Sequence, residues 1–426
     1  MTESPFASIK DKTDTLLSTL IPANNTPGAN FLALSRDGST IYESSFGVRE
    51  KGMSEVMTED TVFWLASCSK ILTSLCAMKC VEQGLITLDE DATPYLPELA
   101  KQPVRQNTST GQPTYIPRKV PITLRHLLTM TAGTGYPGFG VSPEVAKTIS
   151  TSREPYMVAE RRTHYGGPLL SQPGEKWEYS GAIDWAGELV EVLSGMRLGD
   201  YLNKYICEPC GVSGITFDLT PDQRSRLAGA HFRWRDGSVT ARGKIIMDDV
   251  VDHLGGAGAF ATARDFASVL LLFINEGKHP VTENQVLHPS TIHSMLSPQL
   301  TPSQAKWLDM PTPVNRGKPL APGVEKQWGL GGMIMSQGLR TGRGKGCFTW
   351  SGVANTHWMA DPEKGVVMVL FAQIIPQEDA RIISVRSKWE AIVYEGLQRL
   401  QTPKSGPDTG TTADEDEKRT ISKSRL

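Results

Sequence analysis

Strand-forming apolar runs lie toward both ends of this chain, and helical periodicity dominates its middle. Residues 6–20 read as a first helix whose apolar positions are Phe6, Ile9, Leu16, Leu17 and Leu20. Pro27-Gly28 opens a strand over residues 29–35, Arg36-Asp37-Gly38-Ser39 is a hairpin turn signal, and residues 40–47 form the return strand. A second helix runs from Ser67 to near Gly84. Helical patterns separated by Gly and Pro then dominate from about 120 to 300, at 123–129, at 184–193 and from Ala263 onward. Strands return at 328–335, 347–350, 356–360 and 366–371, with the turn Asp361-Pro362-Glu363-Lys364-Gly365 between the last two. A helix over 383–400 follows.

This order predicts an α+β fold. Strands from both ends of the chain pair in one antiparallel sheet flanked by the terminal helices, with an all-helical lobe inserted. The sheet lobe takes about 6–115 and 326–402, the inserted lobe about 116–325. Residues 403–426 hold Gly, Pro, Thr, Ser and charges with almost no apolar side chain, and read as a disordered tail.

Composition narrows the function classes. The 426 residues are 39% hydrophobic and 21% charged, with net charge −2. That balance gives no electrostatic case for nucleic acid or for an anionic membrane surface. The longest aliphatic run, residues 269–274, is too short to span a bilayer, and the N-terminus has no secretory leader pattern. Six cysteines are scattered, with Cys76 and Cys80 one helical turn apart and Cys207 and Cys210 in a C-x-x-C. Without a second ligand pair nearby they read as buried thiols in a reducing compartment, and no metal or cofactor is expected.

Candidate chemistry centres on Ser67-Cys68-Ser69-Lys70. Ser-x-x-Lys at a helix start puts a hydroxyl and an amine one turn apart on the same face, in the positive potential of the N-terminus. That suits a serine nucleophile activated by lysine. Alone the motif is weak, because it occurs by chance in many chains of this length. A lysine amine, with a pKa of ~10.4, needs desolvation or a partner to act as base, and a tyrosine phenol can share the work. Tyr179, on a Pro-Gly loop ahead of a helix, is the candidate; taken alone it reads more readily as a packing tyrosine. Trp350-Ser351-Gly352 ends a strand, and Gly352 would let a substrate approach the backbone. The Val353 N–H is a candidate oxyanion donor beside that of Ser67. Cys68 and Ser69 are left as bystanders.

Together these segments resemble the serine β-lactamase-like superfamily, in its class C and esterase branch. Ser67-x-x-Lys70 matches the first family motif, Tyr179-Ser180-Gly181 stands at Tyr-x-Asn, and Trp350-Ser351-Gly352 stands at Lys-Thr-Gly. Residues 123–133 follow T-L-R-H-L-L-T-H-T-S-G with Met130 and Ala132 as departures, and residues 255–265 resemble G-G-x-x-S-T-A-x-D. The likeness runs in order from about 6 to 400. Gly181 replaces the Asn that helps hold a substrate amide, and Trp350 replaces the Lys that helps bind a β-lactam carboxylate, which argues against penicillin chemistry. The segment from Tyr179 through Asp184-Trp185-Ala186-Gly187 to Glu191, and Trp350 to Asn355, are most similar to the fungal lovastatin-type acyltransferases.

The resemblance implies Ser67, Lys70 and Tyr179 as catalytic residues, Ser67 and Val353 as oxyanion donors, and transfer of an acyl group through an acyl-serine in fungal secondary metabolism. Trp350, Ser351 and Gly352, with Tyr136 and Phe139 from a rim at 134–140, are expected to bind substrate, and the loop 309–327 to complete the rim. The implied partners are an ester, acyl-CoA or carrier-bound thioester donor and an alcohol acceptor. A hydrolase with the same residues, and a non-catalytic binding protein on the same fold, stay open. The end Ser424-Arg425-Leu426 is a variant of the peroxisomal address, so an import receptor and the peroxisome stand beside the cytoplasm as expectations.

Overall fold

The computed structural model describes residues 5–107, 113–136, 166–243, 251–310 and 321–401. The chain opens with α1 (Ala7–Ala23), β1 (Gly28–Ser35), β2 (Thr40–Gly47), β3 (Phe63–Trp64) and α2 (Ser69–Glu82). A hairpin of β4 (Val104–Asn107) and β5 (Pro113–Ile116) precedes α3 (Leu124–Leu128) and α4 (Ala182–Ser194). Then come β6 (Ala230–Arg233), β7 (Val239–Gly243), β8 (Phe260–Ala261) and α5 (Ala263–Ile274). The last stretch holds β9 (Lys326–Trp328), β10 (Met333–Met335), β11 (Phe348–Ser351), β12 (Thr356–Asp361), β13 (Val366–Ala372), β14 (Ile374–Ile375) and α6 (Ala380–Gln401).

Strands from the two chain ends meet in one seven-stranded antiparallel sheet, ordered β2-β1-β13-β12-β11-β10-β9. The continuous apolar run Val366-Val367-Met368-Val369-Leu370-Phe371-Ala372 is buried at every position, as a central strand covered on both faces requires. Register gives the faces: Phe31 pairs with Leu370, and Asn30 with Phe371. Phe31 meets Trp389 of α6 at 5.2 Å on one face, while Phe371 meets Phe266 of α5 at 5.6 Å on the other. Helix α1 packs beside α6.

The α+β class and the antiparallel sheet hold, with differences of detail. Residues 328–335 are not one strand but the β9–β10 hairpin. Gly331 sits at φ +101°, and a Cβ there would lie 2.2 Å from Ser74 Oγ, so the turn is pressed against α2. The inserted lobe is not wholly helical: β6 and β7 pair with each other and β14 joins them in parallel, while β8 pairs with β3. Nor is its boundary a cut in sequence, because α5 lies within 116–325 yet packs on β1, β12 and β13. Helix α2 is buried at every position from Ser69 to Met78, so it is a core helix with no solvent face along that stretch. All six cysteines are buried thiols. Among the described residues no helix is long and apolar enough to cross a membrane, and no cluster of side chains could hold a metal ion. The tail 403–426 lies outside the described residues.

His231 of β6 ties the small sheet to the large one. Its Nε2 accepts the Lys51 N–H at 3.0 Å, and its Nδ1 lies 3.1 Å from the Gln373 carbonyl. A carbonyl only accepts, so Nδ1 carries the proton and the ring is neutral. Burial pushes this imidazole down from 6.5 to about 4. The unfolded chain therefore binds a proton between these values that the folded chain does not. The stabilisation is complete above pH 6.5 and is lost as pH falls to 4, up to about 3 kcal/mol. Urea unfolding from pH 7.5 to 4.5 should show a steeper stability loss for the wild type than for His231→Asn. Equal slopes would remove His231 from the account.

Candidate active site

Ser67 sits at a strained corner. Trp64 pairs with Phe260, and the Leu65 N–H donates to the Ala259 carbonyl at 2.9 Å, which fixes the approach to the corner. Ala66 then takes φ +49°, a left-handed conformation that costs a non-glycine residue about 1 kcal/mol or more. A 3-10 turn over Ala66–Cys68 passes directly into α2. Ser69 Oγ donates to the Ala66 carbonyl at 2.7 Å and accepts the Ala259 N–H at 3.0 Å. Cys68 Sγ reaches the Thr356 carbonyl at 3.4 Å, and Thr356 Oγ1 donates to the Leu65 carbonyl at 3.0 Å. Cys68 and Ser69 are therefore fasteners of the corner and not bystanders. Burial pushes the Cys68 thiol up to about 12, so it is no rival nucleophile.

Lys70 is fully buried, and each of its three N–H bonds has an acceptor: Ser67 Oγ at 3.3 Å, Tyr136 OH at 3.1 Å and the Gly256 carbonyl at 2.7 Å. Tyr136 in turn donates to Asp184 Oδ2 at 2.9 Å, and Asp184 Oδ1 accepts the Gly256 N–H at 2.9 Å. One buried carboxylate thus holds two of the three groups around the amine. Sequence reasoning missed Asp184 and Gly256 as site residues. The available signals were a carboxylate flanked by Ile183 and Trp185 on a helix otherwise buried there, and the Gly255-Gly256 pair. Tyr136, expected on the substrate rim, has its hydroxyl engaged with Lys70 and Asp184. Phe139 lies outside the described residues, as do 311–320 of the second rim loop; in the rest of that loop Lys326 pairs with Asp309 at 2.5 Å.

Tyr179 donates to Ser67 Oγ at 2.7 Å. The loop that carries it is zipped to residues 130–135: Glu178 N–H donates to the Met130 carbonyl at 2.9 Å, and Thr134 Oγ1 lies 2.8 Å from Ser180 Oγ. That pairing brings the Tyr136 and Tyr179 rings within 6.0 Å of each other. Trp350 packs at a tilt against the Tyr179 ring at 5.4 Å, and its indole N–H donates to the Tyr179 oxygen in a long 3.4 Å bond. Trp328 meets Trp350 edge-on at 4.7 Å and Trp177 at 5.4 Å. Ser351 ends β11, part-buried and opposite His357. Gly352 does not leave space for a substrate: a Cβ there would lie 2.2 Å from Thr356 Oγ1 and 2.7 Å from the Leu65 carbonyl. Its close approach is to the chain behind Ser67. Val353 follows in the turn closed by Asn355 N–H donating to the Gly352 carbonyl at 3.0 Å.

The geometry places a Ser-x-x-Lys hydroxyl, a tyrosine hydroxyl and a strand-end tryptophan at one point. Residues 14–385 match the family model described as Beta-lactamase. The chain belongs to the beta-lactamase family.

Among its relatives is the monacolin J acid methylbutanoyltransferase of Aspergillus terreus, 30% identical over 91% of this chain and 96% of the relative. The lovastatin esterase of Penicillium rubens is 28% identical over 87% of this chain and 94% of the relative. The unliganded simvastatin synthase of Aspergillus terreus superposes with a TM-score of 0.78 at 29% identity, covering 93% of this chain and 100% of that one. Gly352 has a structural duty at the Ser67 corner. Gly352→Ala should cost about 1–3 kcal/mol by overpacking against the Leu65 carbonyl. Stability unchanged in urea unfolding would show that the corner has slack.

Proposed function

We propose that this chain is a serine acyltransferase that moves an acyl group from a thioester or ester to an alcohol through an acyl-serine. The observation that carries the reading is the 2.7 Å contact of Tyr179 with Ser67, made by a tyrosine oxygen that also takes the Trp350 N–H. The Lys70 amine, 4.9 Å from the centre of the Tyr179 ring, adds positive charge beside it.

In the reactive form the Tyr179 hydroxyl has given up its proton beside the Lys70 ammonium; Ser67 Oγ attacks the acyl carbonyl, and its proton passes to the Tyr179 oxygen of this pair as the C–O bond forms. The N–H groups of Ser67 and Val353 hold the oxyanion. The C–S or C–O bond to the leaving group breaks, and the proton leaves with the thiol or alcohol. An acceptor hydroxyl then gives its proton to the same pair and attacks the acyl-serine. Ser67 Oγ departs and takes that proton back. Trp350, Ser351 and the segment around Tyr136 border the acyl group. The relative named as a methylbutanoyltransferase supports a short branched acyl group and a role in fungal secondary metabolism. The relative named as an esterase supports the second reading, in which water takes the acyl group.

Incubation with a methylbutanoyl thioester should give an acyl adduct on Ser67 by intact mass, and ester product when a small alcohol is added. Ser67→Ala should give neither, and Tyr179→Phe should slow acylation by about 100-fold or more. Free acid as the sole product with every acceptor would establish the hydrolase; no adduct, with Ser67→Ala unchanged, would leave a binding protein.

We also propose that Ser424-Arg425-Leu426 is read as a peroxisomal address, which would place the enzyme among acyl-CoA thioesters. A fluorescent fusion carrying the native C-terminus should be punctate and should disperse when these residues are removed. A diffuse intact fusion would end this proposal.

A further inference from the structure

A second polar site lies behind the sheet. In the β11–β12 ladder Trp350 is opposite Trp358, and Ser351 is opposite His357, so His357 projects from the face away from Trp350. There, under α6, a small cavity is lined by Arg343, His357, Arg386, Trp389 and Glu390, with Met359 and Met368 from β12 and β13. It has room for about one water-sized particle.

The lining is rich in donors. Arg386 Nη1 lies 2.8 Å from His357 Nδ1, and a guanidinium only donates, so Nδ1 accepts and the His357 proton sits on Nε2. On this face four buried N–H groups then lack a hydrogen-bond partner: Arg343 Nε, His357 Nε2, Arg386 Nε and Trp389 Nε1. Arg386 Nε is 3.3 Å from Glu390 Oε1, an ion-pair distance without hydrogen-bond alignment. None of the lining side chains leaves a buried acceptor unpaired. Within the lining, Arg343 and Arg386 both pair with the one carboxylate, Glu390, and Arg386 also feels Glu378. Burial, then the Arg386 and Arg343 charges, hold His357 well below the usual histidine range, so it adds no charge of its own. The neighbouring Asp361 is already occupied by the N–H groups of Gly344 and Lys364 and by the Tyr394 hydroxyl.

We propose that this cavity is a binding site for a small monovalent anion of halide size, which in a cell is chloride. A water molecule accepts two hydrogen bonds and must place two protons of its own, where the lining offers donors. A halide accepts several N–H groups at once. The unbranched side chains of Met359 and Met368 allow the few tenths of an ångström by which a halide exceeds a water. Arg386, whose side chain is 24% exposed, is the way in.

Crystals of the full chain grown in sodium bromide should show an anomalous peak between Arg343, His357, Arg386 and Trp389. In solution, bromide or chloride should raise Tm saturably, on the order of 2 °C, relative to gluconate at equal ionic strength. Arg343→Met should abolish that difference. Should that variant fail to fold, Trp389→Phe, which keeps the ring and removes one N–H, should raise the half-saturating halide concentration several-fold. Light-atom density without anomalous signal, together with a Tm indifferent to the anion, would assign the cavity to water and overturn the proposal.

Discussion

The buried ammonium of Lys70 is the constraint on which the site is built. A cation out of water is costly unless each of its donors has a partner. Here the partners come from three separate parts of the chain: Ser67 one turn back, Tyr136 after α3, and the Gly256 peptide ahead of β8. No local propensity brings these together. Asp184 does, by accepting from Tyr136 and from the Gly256 N–H at once. Removing either contact would leave a polar group unpaired beside a buried charge, so the two lobes are held at the spacing that the amine requires.

The strained corner at Ala66 depends on the same closure from the other side. Its left-handed backbone is held by the β3–β8 bridge, by Ser69 and by Thr356 at the start of β12. Gly352 allows β11 to come against the Leu65 carbonyl. Asn355, itself left-handed at φ 57°, closes that turn and binds the Ile374 and Pro376 carbonyls through its side-chain amide. Ser67 thus stands where the large sheet, the core helix α2 and the inserted lobe share hydrogen bonds. Strain at that point is sustained by groups distant in sequence.

What the sequence makes legible follows from the range of each interaction. The Ser67–Lys70 spacing is a property of one helical turn, and the apolar runs of β1 and β13 are properties of single strands. Tyr179 and Trp350 were found through motif order, and the structure brings them to Ser67. Asp184 was not legible as a site residue, since its partners lie 48 and 72 positions away and an acidic residue near a helix start is ordinary. The β9–β10 turn was missed because Trp328 to Met335 carries β-forming residues on both sides of its glycines. Only the position of Ser74 on α2 explains the break. Gly352 was assigned to substrate approach because a glycine at a strand end gives no sign of which backbone comes near.

Trp350 shows how one substitution redirects a shared site. Where the Lys-Thr-Gly motif of β-lactamases supplies an ammonium, this chain supplies an indole N–H to the Tyr179 oxygen and a ring against its face. The donor to the tyrosine is kept, while a full positive charge is replaced by an apolar surface backed by Trp328 and Trp177. Such a wall offers no counter-charge to an anionic group, whereas apolar surface buried against apolar surface gains about 25 cal/mol per Å². Gly181 works in the same direction: the side-chain amide that the family's Asn would offer to a substrate amide is gone, and the residue serves as the cap of α4. The polar groups around Ser67 thus stand beside an aromatic wall that carries no charge of its own.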